Sequence, residues 1–128
     1  MSLIKNDLLY TKDHEWLKKT STPKVVQIGI TDFAQASLGD VTFIQLPEIG
    51  KTFKKGEVFG TVESVKAVSD LYAPVSGKIV KINQDLVNEP SPVNTDPYQS
   101  AWMIELELTA ESELSELLSP AAYESLAQ

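Results

Sequence analysis

Two alternating apolar runs flank a short polar break, and this pattern constrains the chain more than any other. Val58-Phe59-Gly60-Thr61-Val62 precedes Glu63-Ser64-Val65-Lys66-Ala67, and Val68-Ser69-Asp70-Leu71-Tyr72-Ala73-Pro74-Val75-Ser76-Gly77 follows. Apolar and polar residues roughly alternate in both flanks, the pattern of half-buried strands. So short a break between such runs predicts a hairpin with Lys66 at its exposed tip. Exposed lysines are ordinary, and many only keep a turn soluble. A lysine held at a tip also suits an enzyme that must reach its amine and acylate it.

The surrounding chain reads as mostly β from Val25 to Leu108. Val25-Val26-Gln27-Ile28-Gly29-Ile30 is a first predicted strand. Thr31 is a candidate N-cap and Gly39 a candidate left-handed stop, so one short helix is expected between them. Val41-Thr42-Phe43-Ile44-Gln45-Leu46 alternates again and ends at Pro47. Gly39-Asp40-Val41-Thr42-Phe43-Ile44 then resembles Gly77-Lys78-Ile79-Val80-Lys81-Ile82 in pattern. A turn-rich stretch and a strand follow each copy, Glu57 to Glu63 and Trp102 to Leu108. This weak repeat suggests two small sheets packed with pseudo-twofold symmetry, which pairs or covers their edges. The prolines among residues 88–97 exclude a central strand there, and a loop is expected.

Beyond Thr109 the pattern becomes helical. Leu114, Leu117 and Leu118 fall at helical spacing between glutamates. Ser119-Pro120 looks like an N-cap with proline at N1, opening a last helix through Tyr123 and Leu126. The leucine stripe is expected to pack on the sheets. Residues 1–128 are therefore read as one domain, with 109–128 a C-terminal helical extension.

Composition excludes several classes. The net charge of −7 would repel the phosphates of nucleic acid. No apolar run approaches the length of a bilayer span, and no signal peptide is expected. With no cysteine there is no disulfide framework and no cysteine metal site. His14 is the only histidine and is expected to serve structure or docking rather than a metal. No constellation for nucleophilic catalysis and no Gly-rich phosphate loop is visible.

Blocks spread along nearly the whole chain carry a family resemblance. Glu63-Ser64-Val65-Lys66-Ala67-Val68-Ser69-Asp70 resembles the lipoyl-attachment segment of the H proteins of the glycine cleavage system. The match extends to Tyr10-Thr11-Lys12-Asp13-His14-Glu15-Trp16-Leu17, and to Gly29 through Gln35 followed by Leu38-Gly39-Asp40-Val41. It also covers Leu46-Pro47-Glu48-Ile49-Gly50, Ala73-Pro74-Val75-Ser76-Gly77, Asn94-Thr95-Asp96-Pro97-Tyr98 and Trp102-Met103. The methionines that flank a biotinyl lysine are missing. Val65 stands where the lipoyl domains of 2-oxoacid dehydrogenases carry aspartate.

The resemblance implies a mainly β fold, a barrel-sandwich hybrid of the lipoyl/biotinyl-carrier type. One short inserted helix and the C-terminal helices complete it. It implies that Lys66 bears covalently attached lipoate, with Glu63 and Gly50 recognised by the lipoate ligase or the lipoyl/octanoyl transferase. Glu63 is not expected to act as a base, because a nearby carboxylate favours the ammonium form of lysine. For Gly50, a plain turn is an adequate alternative. Asp13, Glu15, Ser37 and Asp70 match positions that line a cleft for the loaded arm. Asp13 replaces a common serine and Ser37 a common histidine, and Ala101 replaces the glycine usual before Trp102-Met103.

The function so implied is that of a non-catalytic carrier. It would shuttle the aminomethyl group of glycine from a pyridoxal-phosphate glycine decarboxylase to a folate-dependent aminomethyltransferase. Dihydrolipoamide dehydrogenase would then reoxidise it. A monomer is expected, in the cytoplasm, or in the mitochondrial matrix for a mature eukaryotic chain. An H-like relay of lipoyl or octanoyl groups in lipoate assembly needs the same lysine and stays open as an alternative. An unmodified structural β domain and a biotin carrier are the remaining readings.

Overall fold

A computed structural model describes residues 4–127. Nine strands form two antiparallel sheets among them. The larger sheet has the order β1 (Leu9–Tyr10), β2 (Glu15–Lys19), β3 (Val25–Ile30), β9 (Ile104–Leu108), β8 (Gly77–Ile82) and β5 (Thr52–Phe53). The smaller contains β4 (Val41–Gln45), β6 (Val58–Ser64) and β7 (Val68–Tyr72), with β6 central. The mainly β, two-sheet reading therefore holds.

The core lies between the sheets. Leu17, Ile28, Ile104 and Leu106 from the larger sheet share one buried cluster with Ile44, Phe59, Val62 and Leu71 from the smaller. A second cluster of Leu8, Tyr10, Trp16, Tyr98 and Tyr123 joins β1 and β2 to the C-terminal segment. Consecutive residues Trp16 and Leu17 thus enter different clusters, because neighbouring strand side chains point to opposite faces and both faces are covered here.

The sequence repeat is real in three dimensions. β4 pairs with β6 as β8 pairs with β9. The register of β4 shifts between Val41 and Phe43, and that of β8 between Ile79 and Lys81. These are the same positions in the two copies. A bulge inserts one residue and bends its strand, so each half turns at an equivalent point.

Helix α1 (Asp32–Leu38) lies where Thr31 and Gly39 predict it. The Thr31 hydroxyl accepts from the Ala34 amide, a side-chain N-cap. Gly39 has φ 78° but ψ −158°, so it leaves the helix through an extended positive-φ conformation rather than a left-handed turn. Three further expectations need correction. Val25–Ile30 is the third strand, because β1 and β2 precede it. Residues 88–97 are not only loop: α3 (Pro92–Thr95) is a short helix within them, after α2 (Gln84–Asn88) ends at their start, and Pro92 starts α3 where its missing N–H costs nothing. Finally, Leu114 lies in a 3-10 helix (Glu111–Glu116), whereas Leu118 is extended and bridges to Tyr10. Helix α4 (Pro120–Leu126) follows, capped by the Ser119 hydroxyl. Leu114 and Leu117 pack on the main core and Leu118 on the aromatic cluster.

Candidate functional site

The β6–β7 hairpin presents Lys66 at its tip. Glu63 pairs with Val68, and the Ser64 amide donates to the Ala67 carbonyl at 2.8 Å. The turn is therefore Val65-Lys66-Ala67. The Ser64 hydroxyl accepts from the Ala67 amide at 3.1 Å, a local bond that tightens the tip. Lys66 is exposed, as are Val65 and Val68 at 73% and 68%. These exposed apolar side chains flank the lysine on both sides of the turn. The ion pairs among the described residues are Lys24–Glu111 and Lys55–Glu116, so no carboxylate ties down the Lys66 amine. Nothing in this geometry obstructs acylation of that amine.

Glu63 is half-buried at the end of β6, three residues before the lysine. Its backbone pairs on both sides, with Phe43 and with Val68, which leaves the side chain available for recognition. Gly50 lies elsewhere, beside the larger sheet. Its φ of 98° marks a turn that favours glycine, and its amide donates to the Ile79 carbonyl at 2.8 Å. A backbone role accounts for Gly50.

Asp13, Glu15, Ser37 and Asp70 come together. They line one cleft of about 150 Å³ with His14, Ala34 and Leu38, between the β1–β2 turn, α1 and β7. Asp13 and Asp70 are exposed, whereas Glu15 is only 2% exposed. Glu15 is already engaged. Its Oε1 accepts from the Thr11 hydroxyl at 2.8 Å, and its Oε2 accepts from the Tyr72 amide at 3.1 Å. Burial raises its pKa to about 7 against the opposing pull of these two bonds. Glu15 therefore sits under the cleft as an acid poised near neutrality, while Asp70 is the open carboxylate at its edge.

His14 holds the intervening backbone. It has φ 67°, a strained value for a non-glycine residue. Its Nδ1 lies 2.8 Å from the Tyr123 hydroxyl, which lies 2.6 Å from that of Thr31. Burial lowers the His14 pKa, so the ring favours its neutral form. The expectation of a structural histidine fits this network. Among the described residues no group of His, Asp or Glu is arranged to hold a metal ion.

Comparison with known proteins decides the family. The glycine cleavage H-protein model matches residues 8–128. The chain belongs to the glycine cleavage H-protein family. The glycine cleavage system H protein of Carboxydothermus hydrogenoformans is 54% identical over 126 residues, 98% of this chain and 95% of that one. That of Oceanobacillus iheyensis is 55% identical over 125 residues, 98% of each chain. The crystal structure of the Mycobacterium marinum H protein superposes with a TM-score of 0.87 at 44% identity, covering 95% of this chain and 97% of that one. The H-protein fold is thereby shared as well as the sequence.

Sequence reasoning missed the partners that set this site. Thr11 had a local signal: its hydroxyl accepts from the amides of Asp13 and Glu15, the habit of a threonine before a turn. The amide of Tyr72 and the hydroxyl of Tyr123 had none, because both meet the site through the tertiary fold.

Proposed function

We propose that Lys66 carries lipoate in amide linkage, and that the chain is the lipoyl carrier between the enzymes of glycine cleavage. The observation that carries this reading is the exposed, unpaired Lys66 on a closed hairpin turn in a member of this family. Acylation would remove one positive charge and take the formal net charge from −7 to −8. Bound lipoate supplies the dithiolane redox and group-carrying chemistry that a protein without cysteine lacks. The protein's part is to tether and to shelter. Tethering keeps the sulfurs at a local concentration on the order of mM at a docked enzyme.

The cleft supports the sheltering half. Asp70 is placed to meet a cationic aminomethyl cargo with a charge-assisted hydrogen bond. Glu15 beneath it gains in acidity whenever a cation approaches, since a positive neighbour favours the carboxylate. Asp13 and Ser37 complete the polar lining in place of the serine and histidine common in the family. Glu63 is read as a handle for the lipoylating enzyme. Gly50 is kept as a secondary candidate for that recognition, its turn role notwithstanding. The partners so implied are a pyridoxal-phosphate glycine decarboxylase, a folate-dependent aminomethyltransferase, dihydrolipoamide dehydrogenase and a lipoate ligase or transferase. The reading makes residues 1–128 one carrier domain, monomeric and cytoplasmic.

The test compares wild type with Lys66→Arg after incubation with lipoate ligase, ATP and lipoate. Arginine keeps the charge but does not accept an acyl group. Intact mass should show one lipoyl increment on wild type and none on the variant. An increment on both moves the attachment site away from Lys66.

A further inference from the structure

We infer that Asn94 is a positioning residue for Lys66. This rests on the proposal that Lys66 is acylated, and it concerns how the amine is presented. The Asn94 carboxamide spans the peptide units on both sides of Asp40. Its Nδ2 donates to the Gly39 carbonyl at 2.9 Å, and its Oδ1 accepts from the Val41 amide at 2.9 Å. The same Nδ2 also donates to Gln35 Oε1 at 3.0 Å, tying the brace to α1. Val93, its neighbour in α3, is fully buried and anchors the brace in the core.

What the brace fixes is the seat of the hairpin tip. The Asp40 carbonyl accepts from the Val65 amide at 3.2 Å, one residue before the lysine. The alkyl chain of Lys66 lies beside Gly39, its Cε 3.5 Å from the point where a β-carbon at residue 39 would sit. The tip therefore does not project freely. It rests on the α1–β4 corner, and the Asn94 carboxamide bonds that corner on both sides of Asp40. β4 is an edge strand, paired with β6 through Val41 opposite Ser64 but with no strand on its other side, and the carboxamide takes up the Val41 amide there.

A docked tip presents the amine in one arrangement, and a released tip presents it only part of the time. A substrate that is competent for a fraction of the time binds with an affinity reduced by that fraction. Losing the brace should therefore raise KM for the lipoylating enzyme and leave kcat nearly alone. Two further readouts separate positioning from general stability. The Val65 amide depends on the Asp40 carbonyl, whereas the Ser64 amide bonds inside the hairpin to Ala67. Only the first should lose protection.

The experiment uses lipoate ligase with ATP and lipoate, together with amide hydrogen exchange well below the melting temperature. Asn94→Ala is expected to raise KM about tenfold with kcat within about twofold. Exchange at Val65 should speed by a similar factor, with Ser64 and the core amides unchanged. Asn94→Asp retains the acceptor for Val41 and loses both donor bonds, so it should fall between; it carries the same comparison if the alanine variant does not fold. Equal KM and unchanged Val65 exchange, with wild type taking up lipoate normally, overturn the positioning role and leave Lys66 as the acceptor. Faster exchange throughout the core also overturns it, by making Asn94 a general stability residue. Failure of wild type to take up lipoate overturns the Lys66 reading itself.

Discussion

The Glu15 carboxylate accepts a hydrogen bond from the Tyr72 amide at 3.1 Å and so joins β2 of the larger sheet to β7 of the smaller. A buried acid at a sheet junction makes stability depend on pH. Its pKa rises from 4.5 to about 7 on folding. The native state then binds the proton more tightly than the unfolded chain. This contribution is complete below about pH 4.5 and is lost as pH rises through 7, with a ceiling of about 3 kcal/mol. Glu15→Gln abolishes that trend, since glutamine can donate to Thr11 and accept from Tyr72 at any pH. Urea unfolding of both proteins at pH 5 and 8 should show the difference moving in favour of the variant by about 2–3 kcal/mol. His14 is present in both and cancels. A difference independent of pH would mean that Glu15 titrates normally.

Glu63→Ala should slow lipoylation and leave the fold intact. The backbone of Glu63 stays paired with Phe43 and Val68, so the melting temperature should barely move. A solvent-screened charge contact contributes about 0.2–1 kcal/mol, which sets a loss of about 1.4- to fivefold in kcat/KM for the ligase. Unchanged kinetics would remove Glu63 from recognition.

Asp70→Asn should shorten the life of the aminomethyl cargo on the tethered arm. The residue is open to water at the cleft edge, so screening limits the effect to about two- to fivefold faster release in buffer. Decay is followed without partner enzymes. Equal rates in variant and wild type would show that Asp70 does not shelter the cargo.

Tyr123→Phe should cost about 1–3 kcal/mol in urea unfolding. The hydroxyl is shared by His14 Nδ1 and Thr31 Oγ1, and Thr31 is fully buried. The ring stack on Tyr10, at 4.5 Å between centroids, survives the change. A neutral result would mean that water replaces the hydroxyl.

The features legible in the sequence were those with local causes. Thr31 before α1 and Ser119-Pro120 before α4 announce their helices through capping chemistry that acts within one turn. The tip lysine was legible because the break between its flanking runs is short. What stayed hidden depends on distant partners. Phe59 and Val62 are both buried three positions apart, against strict alternation, because the register of β6 shifts between Val58 and Gly60. Glu15 reads as a solvated acid until Tyr72, 57 positions away, supplies an amide to it. The four cleft residues could be named only through the family resemblance; nothing local in the sequence joins Ser37 to Asp70.

The matched bulges have a topological consequence. Superposing the two halves by their registers sets β4 on β8, β6 on β9 and β7 on β3, and sets Glu63 on Glu105 and Val62 on Ile104. The outer pair of the first half, β6 and β7, is closed by three residues and ends in a lysine. Its counterpart, β9 and β3, comes from opposite ends of the chain and has no such closure. Leu108 runs on as strand and donates its amide to the Lys24 carbonyl at 2.7 Å. The sandwich thus has two equivalent corners, and of these the β6–β7 corner is closed by a turn while the β9–β3 corner is not. The other corner is a seam. Among the described residues the pseudo-twofold symmetry of the sheets therefore stops short of their tips: one corner projects a lysine on a turn, and its counterpart projects none.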